Sequence, residues 1–395
     1  MVSWGGMASF RRLAFVCAVP AAALAIWQGC SVYDNSLLPS DAAADAGSDV
    51  VNVPDSNGCV SATWPGRPLA DDDASVDDIV FYQAIEMLDF GAGDSGATVI
   101  GYDLDNVCTC EGNPPGPDSC IPFAEAGTQC DLEGGVDNSA GLLIQEFAGS
   151  GNFFDQGYVN AQIAAGIFGA LFRVTNYNGT ANDTNVEVSI YTSNGTQGAG
   201  TDAGPKVPQW NGTDVWTLDP TSLLGGTIGD AGPIPFVAYD LNAYVANWTL
   251  VSNISDMPLA IGAATGEGLV TIDLTGAHVV AKLTPVGNTF KATGTVTGRW
   301  ESSKLLTSLA VLYDPFQMDA SLCGNDPVYQ LLKPRVCALE DIATNVLDDG
   351  TNAPCDALSL AFNFTSVAAT YGSVFAKPDG GGGGCGPQWT DQCGP

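Results

Sequence analysis

Between Gly101 and Asn138 the chain crowds Cys108, Cys110, Cys120 and Cys130 into a loop rich in proline and glycine. Asp103, Asp105 and Asn106 precede the loop, and Asp131, Asp137 and Asn138 follow it. No other stretch combines so many cross-linking and oxygen-bearing side chains. Oxidised, these cysteines make a stapled unit against which the remaining elements must pack. Reduced, they would have to serve a metal, yet no C-x-x-C pair occurs, the spacing on which zinc sites rely. The choice turns on the compartment.

Arg11 and Arg12 open a positive region, and Leu13 to Ile26 is an apolar run too short to span a bilayer, the two parts of an export signal. The run closes on Trp27-Gln28-Gly29-Cys30, which resembles the lipobox of bacterial lipoproteins, whose cysteine is acylated and becomes the mature N-terminus. Gly29 fits that pattern, whereas Trp27 and Gln28 depart from it. The resemblance implies a lipid anchor on Cys30 and, with Ser31 rather than Asp next, a place at the outer membrane or cell surface. An ordinary secretory peptide cut nearby is the alternative.

Of the 12 cysteines, removing Cys17 of the leader and Cys30 leaves an even set: Cys59, Cys108, Cys110, Cys120, Cys130, Cys323, Cys337, Cys355, Cys385 and Cys393. An even set in an exported chain reads as a disulfide framework. Cys385 and Cys393 stand in a glycine-rich tail and are expected to pair with each other. The remaining N-terminal and C-terminal groups are then both odd, so at least one bridge must join them. Beyond that the connectivity stays open.

The chain reads as a signal peptide (1–29), a disordered acidic tether (30–76), a single large β-rich domain (77–376) and the glycine-rich tail (377–395). In the tether, Cys59 and Trp64 are the residues able to dock on the domain. Ile79 to Phe90 and Asn185 to Thr192 alternate with period two, the latter most clearly. Further strands are expected at Ala170 to Tyr177, Phe236 to Asp240, Ala243 to Ser252, Gly268 to Leu274, Ala277 to Thr284, Thr289 to Trp300 and Asp356 to Tyr371. Short helices are expected at Gly141 to Ala148, capped by Asn138 or Ser139, and from Gln156. Three more follow late in the chain, from Ser302 or Ser303 to Leu312, Val328 to Leu332, and Pro334 to Leu347. Repeated strands with Gly/Asn turns and no βα alternation mean an antiparallel sandwich or barrel, and a β-sandwich or jelly-roll-like domain is the expectation.

The chemistry is narrowed by inventory. With 44 Asp plus Glu against 12 Lys plus Arg, the net charge of -32 disfavours nucleic acid as a partner. His278 is the one histidine, placed in a strand, and no G-x-S-x-G elbow accompanies it. Asp103, Asp105, Asn106, Asp131, Asp137 and Asn138 form the best chemical candidate, because calcium takes six to eight hard oxygens. It is no EF-hand, since Val107 falls where a third oxygen belongs; ordinary turns and a helix cap are the competing reading. Glu86 and Glu187, on predicted strands, are the pair a carboxylate-based glycoside hydrolase would need. Trp210, Trp216, Trp248 and Trp300 could stack on sugars, though core packing explains them as well. The leading functional class is a structural or binding module, calcium-dependent and glycan-directed, with a carbohydrate or envelope protein as partner; the glycoside hydrolase is the alternative.

The segments GYDLDN (101–106), GGVDN (134–138), RVTNYNG (173–179), NVEVSIYTSNG (185–195), VTGRW (296–300) and PCDALSLAF (354–362) together resemble large exported lipoproteins of delta-type soil bacteria. The resemblance covers about residues 75 to 375. It implies one domain and brings no catalytic residue with it.

Overall fold

Hairpins and long insertions between antiparallel strands set the architecture. The structure is a computed structural model describing residues 53–54, 59–72, 78–91, 99–112, 115–123, 127–146, 155–196, 206–226, 237–262, 269–310, 312–314, 317–376, 385 and 389–394. Cys30, the leader and most of the tether lie outside them. Eight strands are β1 (Ile79–Asp89), β2 (Gly169–Tyr177), β3 (Asp183–Ser193), β4 (Ala238–Ala246), β5 (Thr249–Gly262), β6 (Leu269–Val286), β7 (Thr289–Glu301) and β8 (Ala357–Ala368). Each pairs antiparallel with the next, and β8 returns to β1, so the sheet closes as an up-and-down barrel.

The domain is therefore mainly β, as expected, but a barrel and not a sandwich or jelly roll. Two local features explain the difference. Ala243 to Ser252 reads as one strand, yet Asn247 and Trp248 take φ of 50° and 66°, the backbone of a two-residue type I′ turn, and split it into the β4–β5 hairpin. Conversely, Gly268 to Leu274 and Ala277 to Thr284 are one strand. β6 runs through Gly276, at φ 56°, with a bulge opposite Thr297–Arg299. A bulge bends and twists a long strand, which is how a sheet curls onto itself.

The wall is buried on both faces. Alternate residues serve two cores: Phe172, Val279 and Leu250 join the main core with Phe290, Phe362, Phe364 and Trp300. Their neighbours Leu171, Val280 and Val251 face outward into smaller clusters with Trp216 and Leu218, or with Tyr102 and Trp64. Long loops thus clothe the outside of the barrel. Residues 59–72 are one such cover, a strap across the wall. Trp64 stacks on His278 at 3.9 Å, Tyr244 Oη donates to Pro65 O at 2.5 Å, and Asp71 Oδ1 accepts from Thr184 N at 2.6 Å. Burial under Trp64 and the nearby Arg299 charge hold His278 neutral, its pKa lowered to about 4.

Helices α1 (Ser139–Glu146) and α2 (Gln156–Ala164) lie between β1 and β2, and α3 (Ser302–Leu309) and α4 (Pro327–Ala338) between β7 and β8, so the helices are shared between the two halves. The expected break before Pro334 does not occur. Asp326 Oδ1 accepts from Val328 N and Tyr329 N at 2.8 and 3.0 Å, starting one helix that carries Pro334 inside it and ends at Ala338.

Five bridges join Cys59–Cys108, Cys110–Cys130, Cys120–Cys355, Cys323–Cys385 and Cys337–Cys393. Cys120–Cys355 is the required link between the two groups. Cys385 and Cys393 do not pair with each other, because the tail folds back onto α4. Trp389 meets the Tyr329 ring edge-on at 5.2 Å, and Asp391 accepts from Tyr329 Oη and Lys333 Nζ, both at 2.6 Å. Peptide mapping without reductant should recover these five pairs. In the chain-entropy picture Cys120–Cys355, separated by 235 residues, outweighs Cys110–Cys130, separated by 20. Chemical denaturation of Cys120→Ser/Cys355→Ser should show a loss of roughly 5 kcal/mol, against about 3 kcal/mol for Cys110→Ser/Cys130→Ser.

Candidate metal centre

Three local devices gather the acids of the 101–138 loop. Asp105 turns the chain, its Oδ1 accepting from Val107 N at 2.7 Å over Asn106 at φ 59°. Val107 thus supplies a donor where an EF-hand would place an oxygen. Glu111 Oε2 then accepts from the Gly134 and Gly135 amides, each at 3.2 Å, and draws the far limb in. Gly135 has to be glycine: φ is 65°, and a Cβ would stand 2.8 Å from Cys108 Sγ and 3.2 Å from Asp103 Oδ2. Finally Asp137 Oδ2 accepts from Leu104 N at 2.7 Å while its own N–H donates to Tyr102 O at 3.1 Å.

The outcome is a knot of carboxylates. Asp103, Asp105 and Asp137 each offer an oxygen within 4.8 Å of the others, and their exposures are 2%, 6% and 1%. Both oxygens of Asp103, Oδ2 of Asp105 and Oδ1 of Asp137 are buried without a hydrogen-bond partner. Ser61, the Asn106 and Val107 amides and the Asp105 carboxyl come near Asp103 and offset part of its burial, none of them in hydrogen-bond geometry. Burial is the main cause that pushes these carboxyls up. Asp105 rises to about 7, with repulsion from Asp103 and Asp349 added. Asp137 is held well above the usual carboxylate range, with Asp105 and Asp131 adding to burial. An orphaned buried oxygen costs about 1–3 kcal/mol, and more when charged. Three such carboxylates, each with an oxygen close to the others, fit a hard cation, which would offset their charge and their missing hydrogen bonds.

Of the remaining candidates, Asp131 is half-buried beside the knot. Its Oδ2 accepts from Thr109 N at 2.5 Å, and burial and Asp105 push its pKa to about 8. Asn106 is exposed at the turn, and Asn138 is a helix cap. Asn138 Oδ1 accepts from Gly141 N and Ala361 N at 3.1 and 2.8 Å, and its Nδ2 donates to Ile100 O at 3.1 Å, so no group is left for an ion.

Two supporting residues escape a reading of the sequence. Arg299 of β7, 1% exposed, donates to Asp349 Oδ1 and Oδ2 at 2.6 and 2.5 Å, to Ala343 O at 2.6 Å and to Leu104 O at 2.9 Å. It therefore fastens the limb carrying Asp103 and Asp105 to the barrel wall. Its strand neighbour Ser359 donates to Asp341 Oδ2 at 2.5 Å, and Asp341 Oδ1 accepts from Ser139 Oγ at 2.8 Å, which seats α1 behind Asp137. Asp341 lies more than two hundred residues from Asp137 in sequence, and only the closing of the barrel joins them.

The alternative carboxylate pair does not converge. Glu187 pairs with Thr175, and Val174 with Phe81, so Glu187 stands level with Val80. Glu86 is six residues further along β1, roughly 20 Å at strand rise, beyond the spacing of about 5–10 Å that glycosidases use. Glu86 pairs with Lys291 at 3.1 Å, and Glu187 accepts from Thr175 at 3.0 Å. The tryptophans pack elsewhere: Trp216 and Trp300 are buried, Trp210 lies on Trp216 at 5.4 Å and Trp248 near Phe290 at 6.5 Å. The N-G-T sequences at Asn178 and Asn211 are turns, each Asn Oδ1 accepting from the amide and hydroxyl of Thr180 or Thr213. A surface groove of about 860 Å³ between α3, β6 and residues 390–392 has its charges already paired, Lys304 with Asp273 at 2.9 Å and Asp391 with Lys333.

Comparison with family models, with curated proteins and with solved structures finds no match for this chain. The site therefore stands on its own geometry. Removing Arg299 would leave Asp349 without its cation and orphan two carbonyls. Arg299→Met should lower unfolding free energy by about 4 kcal/mol, and Arg299→Met/Asp349→Leu should recover part of it. Urea denaturation of both variants measures the difference.

Proposed function

We propose that this protein is a lipid-anchored envelope protein whose barrel is a structural or binding module locked by a calcium-class cation at Asp103, Asp105 and Asp137. The observation that carries the proposal is that three buried carboxylates each bring an oxygen within 4.8 Å of the others while four of their oxygens lack a hydrogen-bond partner. Asp103 is free to bind through both oxygens, Asp105 through Oδ2 and Asp137 through Oδ1. Oxygen donors alone favour a hard ion, because the neighbouring cysteines are oxidised and His278 is engaged with Trp64. Burial favours calcium over magnesium, which keeps several waters. The ion would hold both limbs of the 101–138 loop against the barrel wall. A binding role would then belong to the surface this loop presents, with an envelope partner; for carbohydrate, only the half-buried Trp210 and Trp248 offer ring surface among the four tryptophans.

Linkage supplies the test. At a hundredfold excess over its Kd, calcium should stabilise the protein by about 2.7 kcal/mol, and chelator should remove that gain. Asp105→Ala should melt at the same temperature with and without calcium. A wild-type melting curve indifferent to both calcium and chelator would return these residues to turn formation.

The anchor rests on the Arg11-Arg12 leader and the Gly29-Cys30 junction. Several acyl chains give stable membrane attachment where one is marginal. Mass spectrometry of the mature protein should find an acylated N-terminal Cys30, and Cys30→Ser should shift the protein into the soluble fraction. An unmodified N-terminus in the wild type would overturn this part.

A further inference from the structure

The centre has a third wall, from outside the loop. Cys59–Cys108 brings the start of the strap between the two limbs that carry the acids. Ala62 N donates to Gly134 O at 2.8 Å on one side, and Ala62 O accepts from Asp103 N at 2.9 Å on the other. Ser61, 8% exposed, sets its hydroxyl 3.8 Å from Cys108 Sγ. Cys108 Sγ and Asp103 Oδ2 both crowd the point where a Gly135 side chain would begin, at 2.8 and 3.2 Å. The Ser61 hydroxyl comes near the Asp103 carboxylate, both of whose oxygens are unpartnered.

We infer that Ser61 is a further oxygen ligand of the centre, so that the cation clasps the strap, and with it the chain leading to the anchor, onto the barrel. The inference rests on the cation reading and adds the strap to it. A neutral hydroxyl brings no charge, so it suits a site that already holds three carboxylates and still needs oxygens to reach six or more. Its present contact, to Cys108 Sγ at 3.8 Å, is a weak one for an ion to replace. The consequence is mechanical. Residues 60–64 run from the Cys59–Cys108 bridge to Trp64 on the barrel wall, and the ion would fasten them between those two points.

Two measurements on the oxidised mature protein test this, with calcium alone as the probe. Titration calorimetry should show Ser61→Ala binding calcium roughly tenfold more weakly than wild type, the size of effect a supporting ligand exerts. Hydrogen exchange followed by mass spectrometry should show residues 60–64 exchanging more slowly with calcium than with chelator. Wild-type affinity in Ser61→Ala, or calcium-independent exchange at 60–64 while 103–105 become protected, would overturn the clasp and leave the cation centre standing. Absence of any calcium heat in the wild type would overturn both.

Discussion

Arg299 is the interaction on which the other parts depend. Its guanidinium is buried in the barrel wall and reaches two loops that are far apart in sequence, at Leu104 and at Ala343 to Asp349. A buried guanidinium needs its donors used and its charge opposed, and the two loops take four of its N–H bonds and supply the Asp349 carboxylate. Because Leu104 sits between Asp103 and Asp105, the same contact that satisfies Arg299 also sets where those carboxylates stand. A lysine could supply the charge there, but not the planar fork that engages Asp349 with two parallel bonds.

A barrel buried on both faces can carry such a site on its outside. In a barrel whose outer face is bare, a loop of the composition of 101–138 would be solvated and its acids spread apart. Here Tyr102 and Trp64 pack on Val251 and Val280, and Leu104 on Ile342 and Ala357, which removes water from the acids between them. Burial by apolar neighbours is also what raises the carboxyl pKa values. The apolar cover and the acidic knot are one construction, in which packing concentrates negative charge and a cation would relieve it. The disulfides Cys59–Cys108 and Cys110–Cys130 hold the limbs against that repulsion.

The strands were mostly legible, because period-two alternation is a local property: Ile79 to Phe90 and Asn185 to Thr192 fall where the pattern puts them. The closure was not. A sandwich and a barrel share the same alternation, and they differ in what happens at Asn247-Trp248 and Gly276. Trp248 at positive φ is an unfavourable choice that only its tertiary surroundings can impose. Pro334 misled in the opposite direction, since a helix can carry a proline when packing makes up for the lost hydrogen bond.

By itself the sequence determined the mainly β class, the even cysteine set and the bond between the two halves, since odd groups leave no other arithmetic. It also grouped Asp103, Asp105, Asn106, Asp131, Asp137 and Asn138, because a stapled loop brings its two limbs together, but not which three of them would cluster. Tertiary structure decided the rest. It sent Cys385 to Cys323 and Cys393 to Cys337 on α4, set Glu86 far from Glu187, and brought Ser61, Arg299 and Asp341 against different parts of the 101–139 segment. Those contacts bridge separations of tens to hundreds of residues. No local periodicity encodes such pairings, which follow only once the barrel closes and its outer wall selects what can be buried there.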